Sequence, residues 1–177
     1  MRTPPSVHPF LARPTVPVVY DIRFPPSTLR FPRSSPYYRY SHSDLVVPLT
    51  PSRPRLVRII SKQFPWAFDV DYTERGESYS VTCLDVLTAL HDALQETLAD
   101  HEWGLADRVR KERMLRARSR RMRAERRLTL LKRVDWLGSH SLFKGLEKDE
   151  MFARGRMCPG TLEVSETWVV KFGRVTG

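Results

Sequence analysis

Residues 67–98 read AFDVDYTERGESYSVTCLDVLTALHDALQETL, and the hydrophobic period changes within this stretch from that of a strand to that of a helix. Ala67 to Tyr72 alternates: Phe68, Val70 and Tyr72 share one face while Asp69 and Asp71 share the other, which predicts a half-buried strand. Glu74-Arg75-Gly76-Glu77 predicts a turn, and Tyr79 to Val81 a strand returning from it as a hairpin. Thr82 followed by Asp85 has the spacing of a capping box. Behind it Leu84, Leu87, His91, Leu94 and Leu98 recur on one helical stripe. A strand giving way so abruptly to an amphipathic helix points to an α+β fold.

Outward from this stretch, Leu56 to Ile60 is a β-branched run suited to a central strand, and Trp168, Val170 and Phe172 alternate in a terminal strand ended by Gly173. Val134–Leu137 and Leu142–Phe143 are short apolar pieces broken by Gly138 and Gly145. Trp66, Trp136 and Trp168 are expected in the core, with Trp103 stapling one helix to the next. The expectation is one α+β domain: a small, mainly antiparallel sheet of about four or five strands packed by two helices, with a proline-rich N-terminal arm.

That arm is a different material from the rest. Twelve of the fourteen prolines lie in residues 1–54, and all eight glycines follow residue 75. Proline fixes φ and removes a backbone donor, so the first third cannot be helical and can hold only brief strands. Val18 to Phe24 is one, with Val18, Tyr20, Ile22 and Phe24 on one face and Pro25-Pro26 ending it. The resulting division is a flexible tail at 1–17, a domain at 18–173 with a Pro/Ser/Arg-rich extended linker at 27–54, and a tail at 174–177.

The net charge of +10 is concentrated in one predicted helix, Leu105 to Arg133. This segment carries thirteen Lys and Arg against three carboxylates, while the remaining chain balances at seventeen of each sign. Like charges at i,i+3 and i,i+4 prevail over Arg113–Arg127 and destabilise the isolated helix mildly, by about 0.2–0.5 kcal/mol per pair. Its apolar seam is thin: Met114, Ala117, Arg121, Ala124, Leu128 and Leu131. The helix is therefore expected to lie on the domain. Arginine in place of lysine favours bidentate contact with carboxylate or phosphate. Arg113, Arg116, Arg120, Arg123 and Arg127 form the candidate surface for an anionic partner. The same composition also suits a solvated helix whose arginine stems cover apolar surface.

Other constellations are weaker. Arg33, Tyr37, Tyr38, Arg39 and Tyr40 alternate cations with rings, as single-strand binders do, but within a proline-rich segment. Asp69, Asp71 and Thr73 resemble the start of a calcium loop, which fails because Gly76 stands at loop position eight and Ser80 at position twelve. Cys83 and Cys158 are too few and too distant for a disulfide framework or a metal pair. The start of the chain lacks an apolar leader, and no apolar run has the length of a membrane span. These features point to reduced thiols in the cytoplasm or nucleus, without secretion. An enzyme would require His91, Asp85 or Cys83 to converge in an apolar pocket.

Taken in order, several short motifs add up. They are Val19-Tyr20-Asp21-Ile22-Arg23 with Pro25-Pro26, then Phe64-Pro65-Trp66 with Asp69-Val70, and Val81-Thr82 with Leu84-Asp85-Val86-Leu87. Arg133-Val134-Asp135-Trp136-Leu137-Gly138 with Phe143 and Gly145-Leu146 follows, and Trp168 closes the series. Over residues 18–173 the chain resembles a large uncharacterised domain family abundant in mushroom-forming fungi. The resemblance implies a single small α+β domain and brings no activity, cofactor or catalytic residue with it. The function expected is a non-enzymatic interaction module that presents its arginine-rich helix to an acidic protein, without cofactor or metal. The alternative is a nucleic-acid-binding protein that uses the same helix.

Overall fold

In the computed structural model, which describes residues 6–158, 160, 164 and 166–175, Leu56–Ile60 (β1) pairs antiparallel with Ala67–Asp71 (β2). Ile59 faces Phe68 and Arg58 faces Asp69 across the pair. The alternation read from β2 holds: Phe68 and Val70 are buried while Ala67, Asp69 and Asp71 are exposed. The hairpin return at Tyr79–Val81 does not form. β1 is already β2's partner, and the Val81 amide donates to the Pro54 carbonyl at 2.8 Å, while the Val81 carbonyl accepts from Leu49 at 2.9 Å.

Cys83–Gln95 (α1) begins with the predicted capping box: the Thr82 hydroxyl accepts from the Asp85 amide, and the Asp85 carboxylate accepts from the Thr82 amide at 2.8 Å. Its buried face is Cys83, Val86, Leu87, Leu90 and Leu94, rotated from the expected stripe. Leu84 and His91 lie at its half-buried edge. The chain continues through Asp100–Gly104 (α2), Arg108–Glu125 (α3), a 3-10 turn at Arg133–Leu137, Leu142–Glu147 (β3), Glu150–Gly155 (α4) and Thr167–Gly173 (β4). Two helices were too few: α2 and α4 are short additions to α1 and α3.

The sheet order is β2-β1-β4-β3, and β1 and β4 run parallel, with Ile59 beside Trp168. The expected mainly antiparallel sheet is thus a mixed one. Among the described residues the four α-helices all lie between β1 and β4 in sequence, and that long excursion lets β4 enter in the direction of β1, a connection no tight turn could make. The core lies between α1 and one sheet face: Val57, Ile59, Val70, Trp168, Val170 and Phe172 meet Val86, Leu87 and Leu90.

The N-terminal third is part of that core. Val7, Phe10, Leu11, Leu29, Phe31, Leu45 and Leu49 are buried, so residues 7–16 are not a loose tail and 27–54 is not an extended linker. Val18, Tyr20 and Ile22 face inward as read, Phe24 points to solvent, and the segment forms isolated bridges and no strand. Its role is to cover the free edge of β3. The Leu146 amide donates to the Leu11 carbonyl at 2.7 Å, the Phe143 amide to Tyr20 at 2.8 Å, and the Ile22 amide to Ser141 at 2.9 Å. An uncovered edge would leave these groups open to pairing with another chain. Gly145 permits the approach: its φ is +99°, and a Cβ there would lie 2.5 Å from Val16 Cγ2 and 2.9 Å from the Leu11 carbonyl oxygen.

Candidate anion-binding surface on the arginine helix

Helices α2 and α3 leave the body and return to it at one place. The Leu98 amide donates to the Leu131 carbonyl at 2.8 Å and the Arg133 amide to the Glu96 carbonyl at 2.9 Å, closing a clasp at the base of the excursion. Glu102 reinforces it from inside. Its carboxylate, 3% exposed with its residue, accepts from Arg133 at 2.7 and 3.0 Å, from the Trp66 indole at 2.7 Å and from the Ala99 amide at 2.8 Å. Burial alone would raise the Glu102 pKa, but the bonds from Arg133, Ala99 and Trp66 outweigh it and hold the carboxyl below its ordinary range.

Asp107 caps α3 by accepting from the Arg110 amide at 2.7 Å. The helix stops at Glu125, short of the expected Arg133, because Arg126 turns left-handed at φ +51° with its amide on the Met122 carbonyl. The predicted seam therefore survives only in part. Met114 and Ala117 are buried, whereas Ala124 and Leu128 face solvent. Arg121, in the middle of that seam, is the anchor. Its guanidinium makes a bidentate pair with Asp135 at 2.7 and 3.1 Å, and it also donates to the Leu130 carbonyl at 2.8 Å and to the Thr129 hydroxyl. Arg118 donates to the Thr129 carbonyl at 2.8 Å, and Arg110 to the Trp136 carbonyl at 3.0 Å with its guanidinium over the Trp136 ring. Arg110, Arg118 and Arg121 thus clamp α3 to residues 129–136.

The predicted surface residues stand on the neighbouring flank of α3. Arg113, Arg116, Arg120, Arg123 and Arg127 are all exposed. At about 100° per residue, the first four span an arc of about 80° on the helix, beside the buried flank. Among the described residues Arg113, Arg120, Arg123 and Arg127 make no ion pair, and Arg116 meets only Glu112 of its own helix, at 3.8 Å. The structure brings Arg113, Arg116 and Arg120 together with Arg110 along one wall of a cleft of about 250 Å³. Its other wall is Ser139, His140 and Arg174, and Leu137 and Gly138 complete it. Arg123 and Arg127 continue beyond the cleft, in a shallow depression with Arg126.

Arg174, His140 and Ser139 escaped the sequence reading. Arg174 fell in the predicted C-terminal tail, yet the Val175 amide donates to the Ser139 carbonyl at 3.2 Å and fixes the end of β4 against the loop before β3. No local pattern signals that pairing, because it joins segments on opposite sides of β3 and β4. Residues 176–177 of that tail, like residues 1–5 of the N-terminal one, lie outside the described residues.

The family model for DUF6699, a family of unknown function, matches residues 18–155. The chain belongs to DUF6699. No curated protein and no solved structure matches it. The DUF6699 match contains all of α3, the Arg121–Asp135 pair and the clasp, while Arg174 lies beyond it.

The remaining candidates of this DUF6699 chain are held in local contacts. Asp69 pairs with Arg58 through two bonds of 2.8 Å, and Asp71 accepts from the Thr73 amide and hydroxyl, so the two carboxylates serve separate neighbours. Nδ1 of His91 lies 3.0 Å from the Ile22 carbonyl oxygen, Asp85 caps α1, and burial pushes the Cys83 thiol up to about 12. Tyr37 and Tyr40 pack edge-on against Phe10 and near Phe31, leaving Tyr38 exposed beside Arg39. The Tyr37 ring is thus half-buried against the arm's own core, whereas Tyr40, touching the same rings, stays exposed. Among the described residues there is no group of His, Cys, Asp and Glu side chains able to hold a metal ion, and no helix long and apolar enough to cross a membrane. A second cavity, of about 160 Å³ under α4, mixes Lys148 and Arg156 with Asp149 and Glu150. Among the described residues the cleft on α3 has no carboxylate in its lining.

Proposed function

We propose that this DUF6699 chain is a non-enzymatic interaction module whose α3 receives an acidic protein partner. The observation that carries the reading is a division of labour on one helix. Arg110, Arg118 and Arg121 are engaged with the body, while Arg113, Arg120, Arg123 and Arg127 project outward with no ion pair among the described residues. The rest of the chain adds no net opposing charge, so these guanidinium groups sum over one side and steer an anionic partner to it. Bidentate pairing with carboxylates then fixes orientation.

The test is fluorescence anisotropy of a labelled Asp/Glu-rich peptide across a salt series, beside random duplex and single-stranded DNA probes of similar charge. The wild-type chain is expected to hold the peptide at low salt. Replacing Arg113, Arg116, Arg120, Arg123 and Arg127 together by Gln abolishes this, with the thermal midpoint retained as a check of folding. Peptide affinity unchanged in that variant overturns the reading. Tighter binding of DNA than peptide, with log affinity falling by about 0.9 per log unit of salt for each duplex phosphate contacted, replaces it with nucleic-acid recognition.

A further inference from the structure

We propose that the cleft between α3 and the Gly138–His140 loop holds the phosphate group of a phosphorylated side chain in an acidic protein segment. This rests on the acidic-partner reading above and names the anion that its concave part is built to take.

The cleft differs from the rest of the arginine surface in being assembled from three separate segments. Arg110, Arg113, Arg116 and Arg120 come from α3, His140 from the loop before β3, and Arg174 from the end of β4. Among the described residues Arg113, Arg120 and Arg174 make no ion pair and the lining contains no carboxylate. Arg174 is held in place by the 3.2 Å bond from the Val175 amide to the Ser139 carbonyl, which ties its backbone to the opposite wall. Like charges gathered into one concavity repel each other, and a bound anion relieves that repulsion.

Size and charge select the anion. At about 250 Å³ the cleft falls below the roughly 300–1,000 Å³ of small-molecule pockets, so it suits one anionic group better than a whole metabolite. A carboxylate has two oxygens and satisfies one guanidinium fork. A phosphate monoester carries about −1.5 to −2 charge and three acceptor oxygens, enough to bridge arginines on both walls at once. The alternatives fit less well. Among the lining residues His140 supplies the only ring, so stacked bases would find no platform. A duplex needs cations spread along a convex face, whereas these converge. Arg123 and Arg127, just outside, suit acidic residues flanking the phosphorylated one.

The experiment uses the full chain, with inorganic phosphate as an unlabelled competitor and three labelled probes: the peptide Asp-Glu-phosphoserine-Asp-Glu, its unphosphorylated serine counterpart, and a short single-stranded DNA. Charge-assisted bonds of about 1.5–3 kcal/mol each predict that the phosphopeptide binds at least about tenfold more tightly than its counterpart. Arg174→Gln and Arg113→Gln, each checked for an unchanged thermal midpoint, are expected to reduce that ratio to threefold or less. Arg154→Gln, on α4 away from the cleft, is expected to keep it. Equal affinity for the two peptides overturns the cleft proposal and leaves the acidic surface standing, whereas no binding of either overturns both. A ratio preserved in both cleft variants places the phosphate elsewhere and also overturns it. Inorganic phosphate binding as tightly as the phosphopeptide shows the free ion to be the ligand, and tighter binding of the DNA shows a nucleic acid. Each of these last two outcomes removes the protein segment from the proposal.

Discussion

Arg121 and Asp135 form a bidentate ion pair whose side chains are 8% and 2% exposed, and this pair fastens the most cationic helix of the chain to its body. A buried pair is not strongly stabilising against an apolar replacement of both members, but removing one leaves the other charged and desolvated. Asp135→Asn is therefore expected to cost about 3–5 kcal/mol, read as a shift in the urea midpoint. It should also loosen α3 specifically, with faster amide exchange over Met114–Met122 than over β1 or β4. A loss below 1 kcal/mol would show that α3 is held without this pair, by its apolar contacts and the bonds from Arg110 and Arg118.

Gly145 carries a second prediction. With φ at +99° and the Leu11 carbonyl 2.9 Å from where a Cβ would stand, Gly145→Ala strains the backbone and pushes the arm off β3. The expected loss is about 2 kcal/mol or more. The displaced arm should become the first site of limited chymotryptic proteolysis, at Phe10 or Leu11, and a cleavage pattern identical to wild type would contradict the docking role.

Helix α3 ends on a residue that resists its own conformation. Arg126 sits at φ +51°, where a Cβ is unfavourable, so Arg126→Gly should stabilise by about 0.5–1 kcal/mol. Arg126→Ala, which removes the same charge but keeps the Cβ, should gain less. Equal gains in the two variants would assign the effect to charge and not to backbone.

Acid should undo the clasp. Glu102 in the folded chain has its pKa held below the unfolded value by Arg133, Ala99 and Trp66 acting against burial. Its contribution is therefore complete above the unfolded pKa of about 4.5 and is lost as pH falls below that value and through the folded one. Urea unfolding over that range is expected to show a shallower acid limb in Glu102→Gln than in wild type. Parallel limbs would remove Glu102 from the acid response.

Much of the fold is legible locally. The alternation of Phe68 and Val70, the Thr82–Asp85 cap and the terminal strand around Trp168 are each set by neighbours within a few residues, and each is found as read. What escaped is what depends on distance along the chain. The parallel pairing of Ile59 with Trp168 joins opposite ends of the domain, and the burial of Phe10, Leu11 and Phe31 depends on a β3 edge that only the finished sheet possesses. Proline-rich composition suggested an extended linker, but proline forbids helix without forbidding packing. The site follows the same rule. Periodicity within α3 found Arg113, Arg116 and Arg120, while Arg174 could be found only through the bond between Val175 and Ser139.

The clasp between residues 96–98 and 131–133 has a consequence for how such a domain can vary. Because the chain departs and rejoins at adjacent points, the excursion behaves as a handle mounted on a finished vessel. Its outward side can change in charge without disturbing the seams below, whereas Glu102, Met114 and Arg121 on its inner side cannot. A sheath of different charge could be fitted to the same handle, giving one scaffold many possible grips.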